Sequence, residues 1–580
     1  MQSNKKKLPL FLLLFCLLSV IDLIGIGLLG PYIALFMDSD NTGYLNIFLN
    51  LHDQFSLRIS PVTFLGYLLI FIFAVRTISA IFVNKFILSF CRDIQISLRT
   101  TMMHRYQKMS YEQFISEDSS DAINNIAILT MYFTNNVLYG TLKASAELLL
   151  AIFIVSFLFF VNPLLVFLLF GILFLLVFGY SNFFKNLMNS YGKKINSANS
   201  NAVQAVSQSL AGLKEVRVLG KEGFFHERLK RNATQYATLH ANSLLVTTGS
   251  KYFIEFSVMT FFIVTVSASS ILISSNTADV FGVIGMFAFA AIRLLPGVTV
   301  VSSAVLQLRS QKNTVDRLYE TIENLDLKIN SKFHEDEPSK IRELPLKEFK
   351  SISLKDVSYK YPTSKKLILK NLNMKINRGE SIGIIGSSGS GKTTLIDILL
   401  GLLEPNSGKI MINDHPSSKV MDSWRNLTAY IPQESLMINE SLVSNIVLSD
   451  ESFDLSEHHL SETINKAQLT DVVLNLPDGM ESNLGEGGIK LSGGQRQRVS
   501  LARAIFHSRE VLIFDEATSA LDTDTEEEVM REIRRMKGTK TLILVAHRID
   551  TLKFCDHIFE LKNGSIINSG SPREILGKIN

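Results

Sequence analysis

The 580-residue sequence predicts an all-α six-helix transmembrane domain over 1–324 followed by an α/β domain over 351–580, with a linker at 325–350 between them. Three observations carry this division. Six apolar stretches, each of about 20 residues or more and so long enough to cross a hydrocarbon layer, all lie before residue 308. From Ile352 the pattern changes to short β-rich runs separated by helical segments. Between one such run and the next helix lies a glycine-rich loop, GSSGSGKT at Gly386–Thr393.

The spans fall near Leu10–Phe36, Pro61–Leu88, Val137–Val161, Pro163–Phe183, Tyr252–Ser274 and Val280–Leu306. The third and fourth meet around Asn162–Pro163, which reads as a tight turn at one membrane face. Lys5–Lys7 ahead of an apolar run is also the pattern of a secretory leader. That run continues to about Met37, too long for a leader's apolar core, so it reads as a retained first span. Lys and Arg concentrate in Cys91–Asn136 and Lys185–Thr248, which places both segments in the cytoplasm with the N-terminus and the C-terminal domain. The acidic loop Asp38–Ser60 is then expected outside, with a short surface helix at Tyr44–Phe55. The cytoplasmic segments read as helical extensions of the spans, broken near Ser110–Asp121 and Leu213–Gly223.

Composition agrees with a membrane protein: 47% hydrophobic residues stand beside 19% charged ones. A net charge of +4 gives no reason to expect a nucleic-acid partner. Cys16, Cys91 and Cys555 lack the spacing of a disulfide framework or a zinc site.

Charges inside the spans need a partner or a watery cavity, since each costs at least about 2.5 kcal/mol at mid-membrane. They are Asp22, Arg76, Lys143, Glu147, Glu255 and Arg293, with Lys85 and Lys251 at span edges. Pairing between spans and a substrate pathway both account for such charges. The basic group Arg76, Lys251 and Arg293 is the candidate substrate site, because cations facing one cavity favour an anionic headgroup. Pro296, just after Arg293, is expected to kink the sixth span.

In the α/β half, SIGIIG leads into the glycine-rich loop and TTLIDILLGLL continues as a helix, the context a phosphate-binding loop requires. The backbone of Gly386, Ser387, Ser388, Gly389, Ser390 and Gly391 can turn N–H groups toward phosphate oxygens, and the helix start at Lys392, Thr393 and Thr394 adds its positive dipole end. Lys392 can reach the β- and γ-phosphates of ATP, and the Thr393 hydroxyl can ligate Mg²⁺. VLIFDE delivers Asp515 to the metal and Glu516 to the attacking water. His547 follows the apolar run TLILVA, at a strand end where it can meet a γ-phosphate.

Five ordered stretches, GSSGSGKT, IPQ (Ile431–Gln433), LSGGQRQR (Leu491–Arg498), VLIFDEATSALD (Val511–Asp522) and AHR (Ala546–Arg548), resemble the ATP-binding cassette family throughout Ile352–Ser571. With six preceding spans the chain looks like an ABC exporter half-transporter. The resemblance implies an α/β P-loop ATP-binding cassette domain in which Tyr361 stacks on adenine and Gln433 senses Mg²⁺ and the membrane domain. It also implies that Ser492, Gly493, Gly494 and Gln495 contact the γ-phosphate of ATP held by the opposite subunit, that Asp522 lies in the loop after the metal-binding strand, and that two chains, here taken as a homodimer, make one machine. AIRLLPGV, FIE and AELL in the spans resemble bacterial lipid-linked oligosaccharide flippases, where basic residues attract a pyrophosphate. Where that family has a second basic residue after the proline, this chain has Val300.

The expected function is therefore ATP-driven flipping or export of a lipid-linked or other amphipathic substrate across a bacterial inner membrane, with ATP and Mg²⁺ at the cassette and Glu516, His547 and Gln433 in catalysis. The alternatives are a multidrug or peptide exporter and, from another class, an ATP-gated channel or regulator. The spans argue against a soluble cassette ATPase.

Overall fold

The computed structural model describes residues 7–36, 60–117, 119–272, 277–330, 345–362, 364–448, 457–516, 523–545 and 549–577. It divides into two compact units, residues 1–109 with 116–331, and residues 110–115 with 332–580. The expected helix at Tyr44–Phe55 lies outside the described residues, as do 331–344 of the linker.

The first unit is helical. Its long elements are α1 (Leu8–Phe36), α2 (Pro61–Lys108), α4 (Tyr139–Val161), α5 (Pro163–Phe183), α6 (Lys185–Ala211), α7 (Glu222–Leu272), α8 (Thr277–Ser310) and α9 (Lys312–Asn330). Among the described residues, Pro9–Leu29, Val62–Lys108, Ser120–Val161 and Met286–Ser310 are long and apolar enough to cross a membrane, and α5 adds a shorter apolar run at Phe174–Phe183. Helix starts follow local chemistry. Ser60 and Asn162 sit in extended backbone and accept from the N–H of Thr63 and Leu165, and a proline follows each. A missing proline N–H costs nothing there, because the first helical N–H groups have no intrahelical acceptor. Asn162–Pro163 is accordingly the turn between α4 and α5.

The chain breaks where the sequence suggests, at Met109 after α2 and at Gly212 after α6, with short helices α3 (Tyr111–Ile115) and Leu213–Val218 following. Before α4 the helix passes through two π-helical turns, Asn124–Leu129 and Phe133–Leu138. The bundle core is a layer of aliphatic and aromatic side chains centred on Ile26, Ile154, Leu158, Ile254, Ala290 and Leu294. α6 and α8 approach so closely at Gly192 that a Cβ there would lie 1.9 Å from the Ser310 carbonyl oxygen. α8 continues through Pro296, which removes one ladder donor three residues beyond Arg293.

The second unit carries two sheets. The elements used below are β1 (Ser351–Tyr359), β3 (Ser381–Ile385), α10 (Lys392–Leu399), β6 (Thr428–Ile431), α11 (Gly493–Phe506), β7 (Val511–Asp515) and β8 (Thr541–Val545). With β2 at Leu369–Asn377, β4 at Ser407–Ile412, β5 at His415–Pro416, β9 at His557–Lys562 and β10 at Ser565–Gly570, the four-stranded antiparallel sheet runs β2–β1–β4–β5 and the six-stranded sheet β10–β9–β3–β8–β7–β6. β3, β6, β7, β8 and β9 pair in parallel. Parallel strands are covered on both faces, which is why VLIFD and TLILV are apolar runs buried at every position. The carboxyl ends of β3 and β7 therefore deliver the glycine-rich loop and Asp515 to the same edge of the sheet.

Candidate functional site

The glycine-rich loop leaves β3 at Gly386 and enters α10 at Lys392. Gly386 is hemmed in: a Cβ would lie 2.3 Å from the Leu561 carbonyl oxygen and 2.6 Å from Ser390 Oγ. Gly391 takes φ +105, which an L side chain would strain, to start the helix. Ser387, Ser388 and Gly389 form the exposed tip, and nothing lies within 4 Å of where a Gly389 Cβ would stand. Lys392 is 8% exposed, with its ammonium donating to the carbonyls of Gly386 (2.9 Å) and Ser387 (3.3 Å). An ammonium held by neutral carbonyls can exchange them for phosphate oxygens at little cost. Ser390 Oγ is buried without a hydrogen-bond partner. An anion at the loop fits this set, because it supplies the acceptors that buried donors otherwise lack.

At the end of β7, Asp515 pairs in register with Val545 and is 8% exposed. Burial, foremost, pushes its carboxyl above the ordinary carboxylate range, and the Glu516 charge adds to this. The hydrogen bond from Tyr430 and the Lys392 charge pull it back. Glu516 follows in left-handed backbone, φ +52, with its N–H donating to the Val545 carbonyl at 3.0 Å. A glutamate in that region stores strain, of order 1–3 kcal/mol, and the turn gives it a direction that a continuing strand would not. Thr393 and Gln433 are exposed. The oxygens of Thr393, Gln433 and Asp515 are a donor set suited to a hard divalent cation.

LSGGQ acquires a local explanation. Ser492 caps α11 by accepting from the Gln495 N–H at 3.2 Å, and Gln495 Oε1 accepts from the Ser492 N–H at 2.9 Å. The reciprocal pair fixes the helix start and leaves the first turn of N–H groups, at Gly493 and Gly494, beside small residues. Gln497 in the same helix donates to the Gln433 carbonyl at 3.2 Å, tying the signature helix to the second residue past β6. Tyr361 is half-buried, packed edge-to-face on Tyr359 with centroids 5.1 Å apart, and its hydroxyl lies 3.3 Å from Thr394 Oγ1. Asp522 and His547 lie outside the described residues.

Sequence reasoning missed three side chains of this unit. Asp397, buried on α10, has its carboxyl pushed up to about 6 by burial and then by the charge of Asp515. A single carboxylate in the apolar run TTLIDILLGLL was the available signal. Tyr430 bonds Asp515, and fully buried Tyr359 donates to Glu112 Oε1 at 2.9 Å. Both depend on which residues face each other in the fold, which no local pattern gives.

In the membrane unit the expected basic group divides. Arg76 Nε donates to Asp22 Oδ1 at 3.0 Å, Arg293 Nη2 donates to Asp22 Oδ2 at 3.0 Å, and Arg293 Nη1 lies 3.5 Å from Glu147 Oε2. Glu147 in turn packs on Gly297, where a Cβ would lie 2.8 Å from Oε2. Lys251 is outside this cluster and pairs with Glu255 one turn along α7, at 3.5 Å, both side chains being exposed. Two arginines facing two carboxylates carry no net charge, so a cavity presenting three unbalanced cations is not what the helices build.

Comparison with known proteins agrees with both halves. The family described as "ABC transporter transmembrane region" matches residues 8–295, and that described as "ABC transporter" matches residues 369–519. The ATP-dependent lipid A-core flippase of Desulfotalea psychrophila is 38% identical over 243 residues, 42% of this chain and 41% of that protein. The same-named protein of Ralstonia nicotianae is 35% identical over 224 residues, 38% of each chain. The Alpha-hemolysin translocation ATP-binding protein HlyB of Escherichia coli O157:H7 is 37% identical over 228 residues, 39% of this chain and 32% of that one. The chain thus spans 41% or less of the length of these curated relatives. A solved structure of a bacterial Atm1-family ABC exporter with ATP bound has a TM-score of 0.76, covering 99% of this chain and 97% of its own; at 19% identity that likeness is one of fold.

Proposed function

We propose that this chain, which belongs to the ABC transporter family, is one half of a homodimeric ATP-driven exporter that flips an amphipathic, lipid-linked cargo across a bacterial inner membrane. The carrying observation is the convergence of the glycine-rich loop, the Lys392 ammonium and Asp515 at one sheet edge, in a chain that also holds apolar helices of membrane length.

Each residue of the cassette has a role in this reading. Backbone N–H groups of Gly386–Gly391 and the Lys392 ammonium hold the phosphates, and Tyr361 stacks on the adenine. Thr393, Gln433 and Asp515 hold Mg²⁺, which when bound neutralises charge on the phosphate oxygens. Glu516 takes the proton of the attacking water, and His547 donates to the terminal phosphate. The Ser492–Gln495 helix start of a second copy closes over that phosphate, so hydrolysis needs two chains. The N-terminus and the cassette lie in the cytoplasm.

Lipid-type cargo is supported by the relatives named as lipid A-core flippases. Charge balance around Asp22 favours a structural role for Arg76 and Arg293, so the headgroup contact is not assigned to them or to Lys251. A polypeptide exporter is the second reading, supported by the comparably similar hemolysin translocator.

The test is reconstitution in lipid vesicles with ATP and a fluorescent lipid-linked sugar, a labelled lipopolysaccharide precursor or a hydrophobic peptide. ATP-dependent movement of either lipid supports the proposal. Movement of the peptide alone favours the second reading, and cargo that moves only down its gradient sinks both.

A further inference from the structure

The Asp515 carboxylate is not left to orient itself. β6 is the edge strand of the six-stranded sheet and pairs in parallel with β7, Tyr430 standing in register with Ile513 and Ile431 with Phe514. Side chains alternate along a strand, so Ile513 and Asp515 share a face of β7, and Tyr430 stands on that face of its neighbour. The tyrosine ring reaches diagonally along the ladder, and its hydroxyl donates to Asp515 Oδ2 at 3.1 Å. Among the described residues no other side chain hydrogen-bonds Asp515.

Two features make this bond more than packing. The bond holds one oxygen of a carboxylate that is 8% exposed, through a tyrosine hydroxyl that donates to it across the strand pair. It further joins the strands that carry two proposed ligands, since Gln433 lies three residues after Tyr430 and its carbonyl is itself held by Gln497.

We propose that Tyr430 is a positioning residue of the ATPase site, its hydroxyl fixing Asp515 Oδ2 so that Oδ1 is presented to the divalent cation accompanying the nucleotide. Tyr430 touches neither nucleotide nor water in this reading and acts through Asp515. The inference rests on the assignment of the glycine-rich loop and Asp515 to ATP and Mg²⁺.

The experiment uses the full chain in lipid nanodiscs and a fluorescent ATP analogue, titrated with Mg²⁺ and with EDTA. Tyr430→Phe removes only the hydroxyl. It is expected to lower the Mg²⁺-dependent gain in affinity about three- to ten-fold, the worth of one hydrogen bond, with the EDTA affinity unchanged and the half-saturating Mg²⁺ concentration for hydrolysis raised. In an Asp515→Asn background the same substitution should change nothing. An unchanged Mg²⁺ gain in Tyr430→Phe overturns the proposal, and so does an equal loss with and without Mg²⁺, which would mark a merely structural residue. A wild-type protein with no Mg²⁺ gain would instead overturn the underlying assignment of the site.

Discussion

Arg293 grips Asp22 with two nitrogens, Nε to Oδ1 at 3.2 Å and Nη2 to Oδ2 at 3.0 Å, across helices 271 positions apart in sequence. Asp22 is 3% exposed and also accepts from Arg76, so one carboxylate holds two guanidinium groups, and Glu147 restores the balance from a third side. Removing one partner of a buried ion cluster strands the others, at a cost of about 3–5 kcal/mol, whereas removing opposite charges together is far cheaper. Asp22→Ala should therefore lower the melting temperature of the detergent-solubilised protein markedly. The double variant Asp22→Ala/Arg293→Met should melt above the value expected from summing the two single losses. Strict additivity would show that the residues do not act as a unit.

Tyr359 occupies a fully buried position in β1, yet its hydroxyl finds a charged acceptor in Glu112 of α3, the short helix that follows the break after α2. A hydrogen bond to a charged group contributes about 1.5–3 kcal/mol. Phenylalanine preserves the volume, so Tyr359→Phe isolates that bond. Backbone amides at 110–115 should exchange with deuterium faster in the variant while those of β1 stay protected. Unchanged exchange at 110–115 would mean that the bond does not hold the segment.

Asp397 gives the cassette a pH signature. Its folded-state carboxyl is raised to about 6, above the unfolded value, so the folded chain binds more protons between the two pKa values. Stability contributed by this group is therefore greatest in acid and falls as pH rises from about 4 through about 6. Asp397→Asn removes the penalty. In EDTA and without nucleotide it should melt above wild type at pH 7, and the two proteins should converge near pH 4. A melting difference independent of pH would place the effect in packing instead of charge.

The elements legible in sequence were those whose cause is local. The apolar runs of the spans, the Pro163 helix start and the glycine-rich loop each follow from neighbouring residues, and the structure has helices, a turn and a strand–loop–helix unit there. Asp22, Arg76, Glu147 and Arg293 could each be singled out as costly charges, but their partners could not, because pairing depends on how α1, α2, α4 and α8 pack. The placement of Lys251 apart from that cluster has the same origin. A charge that looks stranded in sequence is paired one turn away, with Glu255, on an exposed helix face. Tyr430 and Asp397 escaped notice because strand register and helix orientation alone bring them to Asp515.

Glu516 stands one residue beyond Asp515, turned out of the strand by its positive φ and anchored through its N–H to Val545. That geometry turns the two neighbouring carboxylates apart, as their proposed roles of cation ligand and base require. Replacing Glu516 by Gln keeps size and hydrogen bonding but removes the proposed base. A general base typically contributes about 10²–10⁴ in rate, so Glu516→Gln should bind the fluorescent ATP analogue as wild type does while phosphate release falls by about 10² or more. Cargo movement should stop with it. The anchoring bond is retained in this variant, so a loss of nucleotide binding would point to the strained turn as the source of the defect. Undiminished phosphate release would remove Glu516 from the reaction and shift the search for the base to the residues that follow it.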